Sequence, residues 1–243
     1  MEIIDVHAHF GVWNFPIPCS GTLDNLLRLC DRYGIRWAVA SSTEAIVYDM
    51  QRGNAMIADA FADTDRLLAY VVCNPNFVEL SCEEMDAYLP LNHFVGVKIH
   101  PSYSGVPISS PQMLVLLDEV ARRTELVEIH TYSAADAIAM REVAARYPHV
   151  NFIMAHACAL DSAAAADAAC VHRNLYLEFC CSHAVRGRVE YAVATCGADQ
   201  IVFGSDMDLI EPAFTMGMFQ DAGLSDAQRE AIFRHNAARL LGL

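Results

Sequence analysis

The clearest chemical content of the chain lies near its start, in Asp5-Val6-His7-Ala8-His9. Ile3 and Ile4 precede this stretch as a short apolar run, and Phe10-Gly11 ends it. Side chains of an extended strand alternate between faces, so Asp5, His7 and His9 are expected to point the same way. Two imidazoles two residues apart at a strand end form a pincer for a transition metal. A single pair of this kind becomes informative only if the remaining residues supply further ligands.

The elements that must position such ligands recur along the whole chain. Apolar, β-rich runs at 3–7, 37–41, 67–73, 94–99, 126–130, 150–155, 175–180 and 201–204 read as strands. Segments of helical periodicity alternate with them at 22–33, 54–62, 78–88, 111–124, 134–147, 161–171 and 183–195, and two more follow at 211–222 and 226–241. Thr22 and Ser225 suit helix N-caps, Pro111 suits a first helical turn, and Pro148 stops the helix before it. The Ala-rich 161–171 segment predicts a closely packed surface helix. Eight strands, each followed by a helix, point to an α/β fold of the (β/α)8 TIM-barrel type, with residues 1–243 forming a single domain. The competing arrangement is an open doubly wound sheet, which needs no closure between the first and eighth strands.

In a parallel barrel, functional groups gather at the C-terminal ends of the strands. Those ends carry His7 and His9 after the first strand, and Lys98 and His100 after the fourth. The fifth contributes His130, the sixth His156 and the eighth Asp206. Barrel cores favour branched apolar residues, so packing alone does not account for this series. Neutral imidazoles with a carboxylate suit zinc, and manganese or iron is compatible with the same donors. The remaining histidines, His93, His149, His172, His183 and His235, read as surface or locally bonded groups, with His183, just past the seventh strand, kept open. Glu128, two residues before His130, shares its face and needs a buried partner, for which Lys98 is a candidate.

Composition narrows the function further. Lys and Arg number 16 against 30 Asp and Glu, a net charge of −14 in 243 residues, which argues against a nucleic-acid partner. The apolar share of 54% supports a packed core, and no apolar run approaches a membrane span. No secretory pattern is visible at the start, so a cytoplasmic location is the default expectation. The nine cysteines are scattered and read as small buried hydrophobes, the tandem Cys180-Cys181 being the unusual pair. The expected partner is a small-molecule substrate, and a homo-oligomer is compatible with the sequence.

Taken together, Asp5-Val6-His7-Ala8-His9, Gly96-Val97-Lys98-Ile99-His100-Pro101, Ile129-His130-Thr131, Ala155-His156, Gly204-Ser205-Asp206 and Asn236-Ala237-Ala238-Arg239-Leu240-Leu241 resemble the metal-dependent amidohydrolase superfamily, in its amidohydrolase family 2 branch. The resemblance covers nearly the whole chain and implies a metal-dependent barrel. It implies that His7, His9, His130 and Asp206 are metal ligands and that His156 binds a second metal or acts on the substrate. Lys98 joins the ligands if it is carboxylated, so one or two divalent ions, zinc foremost, are implied. Asp206 is the expected proton acceptor and donor, and His156 the group that polarises the reacting carbonyl. Unmodified Lys98, with His100, is expected to grip a substrate carboxylate. Asp5 is expected to support the ligands from behind. Arg186 and Arg188 are candidate anion contacts, with a solvated helix face favoured. After His156 the family commonly has glycines, whereas here stand Ala157-Cys158-Ala159.

The first expectation for activity is hydrolysis of a small amide, lactone or related C–N or C–O bond by water activated on the metal. The second is non-oxidative decarboxylation or hydration of a small unsaturated carboxylic acid on the same site. A metal-dependent phosphoesterase and a non-catalytic barrel complete the alternatives.

Overall fold

Apolar segments rich in β-branched residues form eight parallel strands in the computed structural model, which describes residues 2–17 and 19–243. They are β1 (Ile3–Phe10), β2 (Ile35–Ser42), β3 (Leu67–Cys73), β4 (Phe94–Ile99), β5 (Leu126–His130), β6 (Asn151–Ala155), β7 (Leu175–Glu178) and β8 (Ile201–Val202). Each strand lies beside its neighbour in sequence. The ring closes where Val6 N donates to Phe203 O at 3.0 Å and Asp206 N to His7 O at 2.9 Å, with Ala8 bridging to Met207. That closure selects the (β/α)8 barrel over the open doubly wound sheet.

Strand parity sorts the side chains into layers. Val97, Ile99, Val127, Ile129, Phe152, Met154, Leu175 and Leu177 face outward into the apolar layer beneath the helices. Ile4, Val6, Val39, Tyr70, Leu126, Ile153, Tyr176 and Val202 fill the lower interior. The helix Asn236–Leu241 covers that floor with Ala237, while its Asn236 donates to Ala198 O at 2.8 Å and Ile201 O at 2.7 Å. Above the floor, the same inward parity delivers Lys98 and His100, Glu128 and His130, and Glu178.

β1 departs from simple alternation. Val6 belongs to the lower interior and Ala8 to the outer layer, and the register against β2 shifts between Asp5 and Ala8. This bulge re-aims the strand so that His7 and His9 reach the upper lumen. Asp5 turns instead to the seam between β1 and β8. It accepts from His7 N at 3.0 Å, Ser205 N at 3.1 Å and the Ser205 hydroxyl. The expectation that Asp5 shares the face of the two imidazoles is thereby corrected, while its place behind them stands.

Several boundaries differ from those read in the sequence. The second predicted helix begins at Met50, capped by Asp49, because the Asp49 side chain accepts from Arg52 N. The loop after β4 contains a helical turn, Pro101–Ser104. β7 ends at Glu178, and the helix expected at 183–195 starts only at Arg188, after a left-handed Gly187. The Ala-rich helix, Ser162–Val171, buries Ala165, Ala166, Ala168 and Ala169 against its neighbours, as its composition predicts. No helix among the described residues is long and apolar enough to cross a membrane.

Candidate metal centre and substrate cavity

A cavity of about 580 Å³ opens at the C-terminal ends of the strands. His7, His9, Lys98, His100, His130, His156 and Asp206 all line it, so the structure brings the strand-end residues singled out for chemistry to one place. His7, His9 and Asp206 form its tightest group. The two Nε2 atoms are 3.2 Å apart, and Asp206 Oδ1 lies 2.9 Å from His9 Nε2 and 3.6 Å from His7 Nε2.

Hydrogen bonds behind these side chains fix which ring nitrogen faces inward. His7 Nδ1 lies 2.9 Å from Glu178 Oε2 and 3.2 Å from Glu128 Oε1. Facing two carboxylates, Nδ1 carries the proton, which leaves the Nε2 lone pair directed at His9 and Asp206. His9 Nδ1 meets Ser41 Oγ at 3.1 Å, on the register partner of His9 in β2. His156 Nδ1 donates to Cys180 O at 2.7 Å, so its Nε2 is the acceptor. Burial pushes His7, His100 and His130 well below the ordinary histidine range and His156 down to about 4. All four imidazoles are neutral at neutral pH, as metal ligation requires.

The electrostatics of the group fit a cation. Burial pushes the Glu128 carboxyl up to about 7, against the pull of Lys98, and the Glu178 carboxyl up to about 8. For Asp206, burial works in the same direction, but contact with His9, aided by His156 and Lys98, outweighs it and holds the carboxyl below its ordinary range. Three buried carboxyls thus face one buried ammonium. Asp206 Oδ1 is also sealed from solvent and meets no donor other than the His9 imidazole. A buried carboxylate oxygen beside two imidazole nitrogens is the donor set a divalent ion completes. Residues His7, His9 and Asp206 would hold it.

His130 stands on the adjoining wall. Its ring stacks on His100 at 3.9 Å between centroids and on Tyr132 at 5.5 Å, with His156 edge-on at 4.7 Å. It does not join the group whose donor atoms all fall within 4.8 Å of one another. Lys98 Nζ is 2.9 Å from Glu128 Oε2 and 3.3 Å from His7 Nε2. The Lys98–Glu128 pair, one of two readings left open by the sequence, is present.

One of the two candidate arginines is reassigned. Arg188 is buried, neither an anion contact nor part of a solvated face. Its guanidinium donates to His156 O at 3.1 Å and His183 O at 2.9 Å and lies over the Phe179 ring, so it ties the loops after β6 and β7 together. Arg186 is exposed, and both it and the half-buried His183 lie outside the cavity lining.

Glu178 is the residue that reading the sequence missed. One of its oxygens accepts from His7 Nδ1, from His156 N at 3.2 Å and from the Cys180 thiol at 2.8 Å. The available signal was its inward parity in β7, hidden because that strand was extended through Cys180. Gly204 makes room for this contact. A Cβ there would stand 2.6 Å from Glu178 Cγ and 2.8 Å from His7 Cβ.

Away from the histidines the cavity is mainly apolar, with Trp13, Phe15, Ile17, Tyr103, Tyr132, Leu209 and Ile210 forming most of its walls and Ser102, Cys181 and Ser182 the rest. The loop that replaces the expected glycines is left-handed from His156 to Ala159, φ running from 42° to 69°.

A family model described as an amidohydrolase matches residues 4–243. No curated protein matches the chain. Among solved structures, the 2,6-dihydroxybenzoate decarboxylase from Rhizobium is 17% identical, with a TM-score of 0.81 over 99% of this chain and 98% of its own. A dihydroxybenzoic acid decarboxylase from a Polaromonas species, with bound manganese and the inhibitor 2-nitroresorcinol, is 16% identical, with a TM-score of 0.80 over 100% and 97%. The 5-carboxyvanillate decarboxylase from Sphingomonas paucimobilis is 11% identical, with a TM-score of 0.78 over 100% and 99%.

Proposed function

The chain belongs to the amidohydrolase family, and from that premise we propose that it is a metal-dependent, non-oxidative decarboxylase of a small aromatic or otherwise flat unsaturated carboxylic acid. The observation that carries this reading is the polarity of the cavity. Histidines, Lys98 and Asp206 gather on one side, and the remaining walls are mainly aromatic or aliphatic, with Ser102, Cys181 and Ser182 among them. Such a site suits a molecule with one polar head and a flat apolar body.

A divalent ion held by His7, His9 and Asp206 would supply positive charge to a bound carboxylate and to the negative charge that develops on the substrate. The chain's own groups do the rest. The stacked His100, His130 and Tyr132 rings orient a planar body against one wall. When the C–CO2 bond breaks, CO2 departs and its electron pair stays on the carbon, which must then take a proton. Asp206, ionised at rest, accepts that proton from a substrate hydroxyl or from water and returns it to the carbon. His156 Nε2 and Lys98 bind the polar head. Zinc and manganese both suit the donors, and manganese is the ion named for the Polaromonas decarboxylase.

Hydrolysis of a lactone or amide is the second reading, favoured by one observation: an ionised Asp206 can take a proton from water as readily as from a substrate hydroxyl. Hydroxybenzoic acids, unsaturated acids, lactones and amides incubated with the manganese- and zinc-loaded protein separate the two. CO2 release from an acid, lost after chelation, is expected. Consumption of lactones or amides alone overturns the decarboxylase assignment.

A further inference from the structure

Two residues beyond Asp206, Asp208 does not line the cavity, yet its carboxylate oxygen Oδ2 accepts four hydrogen bonds. The donors are Ser20 N at 3.0 Å, Ser20 Oγ at 3.1 Å, Gly21 N at 2.7 Å and Asn25 Nδ2 at 2.7 Å. Arg28 Nε donates to Asn25 Oδ1 at 3.2 Å, which turns the Asn25 amide so that its NH2 faces Asp208. All four donors, two from the backbone and two from side chains, converge on this one oxygen.

These contacts clamp the foot of the loop that leaves β1 at Gly11 and returns at Gly21. The neck closes through Gly11 N to Gly21 O at 2.9 Å. It is tight enough that a Cβ on Gly21 would meet Gly11 C at 2.2 Å. Between the two glycines the loop presents Trp13, Phe15 and Ile17 to the cavity. Leu209 and Ile210, immediately after Asp208, complete the same wall, and Trp13 packs in one cluster with Leu209. Trp13 also sets its ring edge-on to His9 at 4.9 Å. Phe15 and Ile17 are 42% and 43% exposed, so apolar burial alone holds this wall weakly. One carboxylate therefore joins the two loops that face the substrate.

We propose that Asp208 is a positioning residue that sets specificity, by holding the Trp13–Phe15–Ile17 wall against the body of a flat apolar substrate. The substrate class rests on the functional reading above; the clamp itself does not. The test compares metal-loaded, full-length wild type with Asp208→Ala, Asp208→Asn and Asn25→Ala. In Asp208→Ala, amide hydrogen exchange across 11–21 rises about tenfold or more, because the segment opens locally. KM for the best carboxylic acid substrate rises about tenfold or more, with kcat changed less than about threefold and metal content unchanged. Asp208→Asn, which keeps an acceptor oxygen, recovers part of both effects. Asn25→Ala, which removes one donor, moves them the same way by less and serves if Asp208→Ala does not fold. Unchanged exchange at 11–21, or a fall in kcat together with lost metal, overturns the proposal. If wild type turns over no acid, the functional reading fails by itself. The clamp is then judged by exchange and by the affinity for benzoate, and it is overturned if the Ala variant matches wild type in either.

Discussion

Lys98 Nζ lies 2.9 Å from Glu128 Oε2 across the register pair of β4 and β5, and both side chains are sealed from solvent. This pair gives the buried Glu128 carboxyl a partner and is the alternative to a carboxylated Lys98. Glu128→Gln removes the carboxylate in direct contact with the buried Lys98 amine, at a cost of about 3–5 kcal/mol in urea unfolding of the metal-free protein. The double variant Lys98→Met/Glu128→Gln is expected to recover part of the loss, because neither charge is then stranded. Equal losses in the single and double variants would contradict the pair as a unit. A 13C-carbamate resonance after incubation with labelled bicarbonate would show Lys98 to be carboxylated instead.

Glu178 sets the His7 tautomer from behind, through its contact with Nδ1. Glu178→Gln can present an NH2 to Nδ1 and so release the proton that keeps Nε2 free. Metal affinity is expected to fall about 10–100-fold, measured by competition with a chelator, while the fold by circular dichroism is retained. Unaltered affinity would remove Glu178 from the account of the site.

Ala159 holds φ 49° and ψ −111°, a backbone region that glycine alone occupies comfortably. Ala159→Gly relieves that strain. The expected gain is about 1 kcal/mol, or a rise in Tm of roughly 2–4 °C for a chain of this size. A lowered Tm in a thermal melt would show that the buried Ala159 methyl contributes more through packing than its backbone costs.

The buried histidines make the metal-free protein acid-sensitive. His156 falls to about 4 from its ordinary 6.5, and His7, His100 and His130 are also lowered by burial. Between pH 6.5 and 4 these histidines bind more protons in the unfolded chain than in the native one, so their contribution to stability rises with pH across that window, opposed by the raised Glu128 and Glu178 carboxyls, which hold protons in the native state. Urea midpoints at a series of pH values check the slope. His156→Gln, which cannot titrate, is expected to flatten it, and an unchanged slope would exclude His156 as a contributor.

The sequence by itself determined the barrel and the residues that enter its mouth. Strand and helix periods follow from side-chain alternation, which is a local property, and strand ends in a parallel barrel share one face wherever the chain goes in between. That is why His7, His9, His100, His130, His156, Lys98 and Asp206 could be named without coordinates. Local reading failed where geometry depends on partners distant in the chain. The β1 bulge, invisible to a period-two count, sends Asp5 to Ser205 and both imidazoles into the lumen. Glu178 became visible only when β7 ended early and its carboxylate met His7, 171 positions away. Arg188, expected in solvent, was drawn inward by the carbonyls of two loops. Tertiary structure alone decided these placements, because hydrogen-bond partners and buried charges are satisfied in space and not along the chain.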